Sequence, residues 1–156
     1  MTNPYTPPGT PVKDPPDARR RSSLGAIALG LLADVGGSIA FGTVLQIVIG
    51  IVFAVGGAPP EAIGELARSP GFQLVGVAIG LAFSVVGGYV AARFANHSEY
   101  ANAFAVGVLS LLSGEAILLL LPDDYPFWLR ILGDLMVIPA ALLGGHLRAL
   151  QKRPAT

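Results

Sequence analysis

Few residues in this chain have the type and spacing to do chemistry. Glu115, Arg130 and Asp134 stand inside long apolar stretches. Arg130 and Asp134 are four apart, so a helix puts them on one face. A turn centred near Asp124 sets Glu115 level with about Gly133 or Asp134 in an antiparallel helix pair. Both acids then lie about 9 to 15 Å below the outer membrane surface, at about 1.5 Å per residue. Two acids and one base in a low dielectric favour one acid keeping its proton. A lone Asp at mid-membrane costs about 2.5–3.5 kcal/mol on the insertion scale, so pairing is expected. The cluster reads either as a clamp joining two helices or as part of a proton or cation pathway.

A second group is Asp34 and Arg93, both expected near the inner membrane boundary, either as a salt bridge between antiparallel neighbours or as two solvated interfacial charges that never meet. Asn102 is expected at similar depth, and Gln46, nearer mid-membrane, is expected to hydrogen-bond across to a neighbouring helix or an oligomer partner. Catalytic constellations are missing from the sequence: there is no GxSxG, HExxH or phosphate-binding loop. With no Cys there are no disulfides, thiolate metal sites or Cys nucleophiles. His97 and His146 have no metal-ligand spacing and fall at the membrane edge, away from the acids. The expectation is no enzyme, no cofactor and no metal.

The elements that must position these residues are membrane helices. Of 156 residues 53% are hydrophobic and 13% charged, where a soluble domain carries about 25% charge. Ten basic residues balance ten acidic ones, so charge suggests no nucleic-acid partner. The pattern predicts an all-α, up-down-up-down bundle of four transmembrane helices over residues 22–149, with spans at about 34–57, 71–92, 101–121 and 127–147. Residues 1–21 form a disordered Pro-rich tail, and 150–156 a short polar tail. Two PxxP matches in the first tail are expected by chance. The first apolar segment, Leu24 to about Gly57, is too long for a signal-peptide core and is read as retained. Counting back from Gly57 starts the span near Gly36-Gly37, so residues 22–33 become an extension along the interface, or the helix tilts or kinks at the Gly pair. Residues from Pro60 through Ala67 suit one short interfacial helix. The sequon at Asn96 is discounted as cytoplasmic.

Basic residues cluster on one side: Lys13, Arg19, Arg20, Arg21, Arg93, Arg148, Lys152 and Arg153, against Arg68 alone in the opposite connections. The positive-inside rule then makes both termini cytoplasmic, and Tyr125, Phe127 and Trp128 anchor the outer interface.

The second span carries small residues every fourth position: Gly76, Gly80, Ser84, Gly88 and Ala92. In water such a helix would be poor, because each interior Gly costs about 1 kcal/mol. In lipid the stripe lets another helix approach closely. Its expected partner is the first span, through Gly37, Ser38 and Gly42, with Asp34–Arg93 setting the register. Ala140 and Gly144 continue the small-residue spacing in the fourth span.

Asp34-Val-Gly-Gly-Ser38, and Gly87-Gly-Tyr-Val-Ala-Ala-Arg93 with Asn102-Ala-Phe-Ala-Val-Gly107, resemble segments of small four-helix bacterial inner-membrane proteins of uncharacterised function. The resemblance implies a four-span bundle in a bacterial inner membrane and brings no activity. The function expected is that of a non-enzymatic packing or accessory protein. Beyond the lipid bilayer, its partners would be a homo-oligomer or a membrane partner protein. The alternative is a small oligomeric transporter or ion-conducting unit using Glu115 and Asp134.

Overall fold

The computed structural model describes residues 23–95, 98–120 and 125–152. The Pro-rich tail, Arg19–Arg21, the Asn96 sequon with His97, and most of the Pro122–Pro126 turn lie outside the described residues. Among the described residues all regular structure is helical: α1 (Ser23–Leu31), a π-helical turn (Leu32–Gly36), α2 (Gly37–Val55), α3 (Pro60–Arg68), α4 (Pro70–Ala95), α5 (Glu99–Leu120) and α6 (Phe127–Gln151). Four stretches are long and apolar enough to cross a membrane, namely Ser23–Val55, α4, α5 and α6. The chain is an integral, multi-pass membrane protein. Both ends of the described chain, and the α4–α5 connection, lie at one end of the bundle, here the terminal end; α3 lies at the other.

Local chemistry sets the breaks. After α2 the chain leaves through a Schellman turn: Gly57 N–H donates to Ala54 O (3.2 Å) and Ala58 N–H to Phe53 O (3.0 Å). Gly57 takes φ +68°, a left-handed conformation that costs a side-chain-bearing residue about 1–2 kcal/mol. Pro60 opens α3, with Glu61 in the first turn and Arg68 in the last, each favourable to the helix dipole. Ser69 is extended before Pro70. Its Oγ accepts from Phe72 N–H at 3.4 Å, which starts α4.

The first span is one 33-residue helix interrupted by the π turn, so residues 23–31 are not an extension outside the bundle. Ala26 and Gly30 of α1 are buried, whereas α2 has no buried residue. The span packs on α4 and α5 up to Asp34, then diverges.

Backbone-to-backbone helix packing is concentrated in the terminal half, although Gln73 and Leu129 are buried at the other end. In the terminal half α4 is central, touching α6 most extensively and also α1 and α5. A Cβ on Gly88 would come 2.0 Å from Ala141 O, and one on Gly144 would come 2.0 Å from Val85 O, so α4 and α6 meet backbone to backbone. On the adjacent face, Cβ atoms on Gly30 and Gly87 would each lie 2.7 Å from the other residue's carbonyl oxygen. The main partner of the stripe is therefore α6 at Gly88, with α1 meeting Gly87. It is not the first span through Gly37, Ser38 and Gly42. Gly37 meets the Phe83 ring, while Gly42 and Gly80 have nothing within 4 Å and Gly76 has only the Tyr125 hydroxyl at 3.7 Å. Ser84, Gly88 and Ala92 are buried. The stripe is thus closed at its terminal half and open at its α3 half, because α2 turns away.

Candidate functional site

Among the described residues, two clusters of polar side chains, each joining different helices, lie inside the apolar bundle. The first is Asp34, only 4% exposed. It sits in the π turn, where the wider coil breaks the α-helical phase. Ser84 of α4 donates to Asp34 Oδ1 at 3.1 Å, and Ser110 of α5 donates to Oδ2 at 2.5 Å. Ser84 lies eleven residues from the terminal end of α4 and Ser110 eleven from that of α5. At about 1.5 Å per residue both are about 16 Å deep, the middle of a hydrocarbon core about 30 Å thick.

Asp34 is therefore not at the inner boundary, and it does not meet Arg93. Arg93 is exposed near the end of α4, nine residues or about 13 Å beyond Ser84. Boundary counting back from Gly57 left α1 outside the span; the buried Ala26 and Gly30 put it inside. Asn102 is also buried, and its Nδ2 donates to Ser98 O at 3.0 Å within its own first turn.

The second site is the Glu115, Arg130 and Asp134 cluster, which the structure does bring together. Arg130 Nη2 donates to Glu115 Oε2 in an ion pair between α6 and α5. Asp134, one helical turn beyond Arg130 on α6, lies within electrostatic reach of both Glu115 and Arg130. The ion pair is about one-third exposed, at 37% and 36%. A cavity of about 290 Å³ between α4, α5 and α6 reaches Arg130 and Asp134, and its walls are otherwise mainly Gly, Val, Leu and Ile with Tyr125.

Two further cavities lie in the α3 half. One of about 170 Å³ forms a wedge between α2 and α4, lined by Ser38, Gly42, Gln46, Gly76 and Gly80 among others. One of about 350 Å³ lies under α3, with Gln46, Gly50 and Phe72 in its wall. Gln46 is exposed toward both rather than packed on a helix of its own chain. The terminal end is instead tied together by polar side chains. Tyr89 Oη donates to Gln151 Oε1 at 2.8 Å, the Tyr100 hydroxyl and His146 Nδ1 share a 2.7 Å hydrogen bond, and Lys152 pairs with Glu99. No three His, Asp or Glu side chains converge on a metal-sized site among the described residues.

Sequence reasoning passed over Gly30, Gly87 and the pairing of Ser110 with Asp34. A signal was available for Gly30: the four-residue spacing runs backward from Asp34 through Gly30 to Ala26. No protein-family model, curated protein or solved structure matches this chain.

Proposed function

We propose that this chain is a non-enzymatic membrane protein that associates with a second copy of itself through the small-residue faces its own fold leaves open. One contrast supports this reading. Gly30, Gly87, Gly88, Gly107, Gly144 and Gly145 of the terminal half would each meet neighbouring backbone with an added Cβ, whereas Gly42, Gly50 and Gly80 have nothing within 4 Å of a Cβ position. The chain supplies both halves of a joint: a wedge walled by Gly76 and Gly80, and in α2 a helix with no buried residue. A helix seated in such a wedge gains packing that lipid tails, as apolar as the wall itself, provide less closely.

The absence of cysteine from the chain makes the test clean. Single-cysteine variants Gly42→Cys and Leu119→Cys in native membranes separate a specific interface from random collision. The expected result is efficient disulfide linkage at Gly42 and little at Leu119, with linkage at Gly42 suppressed by Gly80→Leu. Equal linkage at both positions, or linkage that vanishes on dilution with lipid, overturns the proposal. The cellular setting that goes with it is a bacterial inner membrane with both termini cytoplasmic. It is supported by the resemblance of the Asp34–Ser38 and Gly87–Arg93 segments and by the clustering of basic residues on one side. Compartment-sensitive reporters on each terminus test it.

A second reading has its own observation. The 290 Å³ cavity reaches Arg130 and Asp134, as an ion or proton pathway would require. Glu115→Gln separates the two: flux lost with stability intact favours a pathway, while lowered stability with no flux to lose favours a clamp.

A further inference from the structure

Among the described residues, Asp34 is a mid-membrane carboxyl with no basic side chain bonded to it. Ser84 and Gly87 of α4 and Ser110 of α5 lie against it; none of these titrates or carries a charge. The nearest titratable group along α5 is Glu115, five positions past Ser110, and that group is held by Arg130. α6 brings Asp134 only to the Glu115 cluster. A carboxylate left ionised and unpaired at this depth is costly.

The site also holds a hydroxyl with two acceptors. Ser84 Oγ is 3.1 Å from Asp34 Oδ1 and 3.3 Å from Gly80 O, and it has one hydrogen. With Asp34 ionised, Ser84 donates to Oδ1. With Asp34 protonated, the acid donates to Ser84 Oγ and the Ser84 hydrogen turns to Gly80 O. Both states keep their hydrogen bonds, and nothing but a hydroxyl has to rotate. Gly80 and Ser38 line the wedge between α2 and α4, each one turn, about 6 Å, from Ser84 and Asp34 respectively. The π turn that carries Asp34 is a device found frequently at functional sites.

We propose that Asp34, with Ser84 and Ser110, is a proton-binding site at the centre of the bundle, loaded and unloaded by water entering the wedge between α2 and α4. One proton passes from that water to the Asp34 carboxylate, and the same proton returns to water on release. The site is complete within one chain, and its water path runs through the wedge only while no second copy is seated there.

The test is infrared difference spectroscopy on the full chain in lipid vesicles across a pH step. The expected result is a protonated-carboxyl stretch that grows on acidification and is lost in Asp34→Asn but kept in Glu115→Gln. Ser84→Ala, which leaves the carboxyl in place, should shift the frequency of the band without removing it. Ser38→Leu, which fills the wedge, should slow its rise. A band that ignores pH, persists in Asp34→Asn, or stays unshifted in Ser84→Ala overturns the proposal. So does a band displaced by sodium at constant pH, which would make the ligand a cation.

Discussion

Gly88→Ala is the sharpest perturbation of this fold. The added Cβ would lie 2.0 Å from Ala141 O, 2.7 Å from its carbonyl carbon and 2.9 Å from its Cα. All three are backbone atoms, so no rotamer change relieves the clash. Real Cβ atoms essentially never approach within 3.0 Å, so α4 and α6 must part by about 1 Å at this level. A gap of 0.5–1 Å forfeits about a quarter to a half of the dispersion well along the seam. Overpacking costs about 1–3 kcal/mol, and a backbone-only clash belongs at the upper end. Against this, Ala favours a helix over Gly by about 1 kcal/mol. The net expectation is a loss of about 2 kcal/mol. Gly80→Ala serves as the control, because nothing lies within 4 Å of it; it should be neutral or stabilising by up to about 1 kcal/mol. Unfolding in mixed micelles, followed by the fluorescence of the single tryptophan, Trp128, measures both. The reasoning fails if Gly88→Ala is as stable as the parent protein, or if Gly80→Ala is equally damaging.

Gly144→Ala should cost about as much as Gly88→Ala. The double variant should cost less than the sum of the two, because helices already parted by one Cβ accommodate the other; the same unfolding curves provide the test. Gly57→Ala should destabilise by about 1–2 kcal/mol, since it forces a side-chain-bearing residue into the left-handed region at φ +68°. Glu115→Gln should lower stability by less than about 1 kcal/mol, the usual range for partly exposed ion pairs, whereas Arg130→Ala should cost more because it leaves Glu115 and Asp134 together with no cation. Detergent melting of the two variants side by side checks that order.

Local patterns in the sequence determined the number of spans, the short helix at Pro60 and the meeting of Glu115, Arg130 and Asp134. Each of these depends on a run of apolar residues, a proline or a short hairpin register, and none needs a distant partner. Which helix meets which face was decided only by the tertiary structure. On α4 two seams adjoin, Val85–Gly88 and Ser84–Gly87–Ala91, and in lipid an apolar partner and an apolar tail look alike. The spacing therefore marks a close approach without saying that α6 takes one seam and α1 the other. The position of Asp34 was hidden for a second reason. Its four-residue series, from Ala26 to Gly42, reads as one unbroken stripe, but the π turn at Leu32–Gly36 breaks the phase. Residues before the turn are buried in the bundle, and those after it turn toward the lipid. That break, together with serines supplied by two other helices, turns an expected boundary charge into a carboxyl at the centre of the membrane.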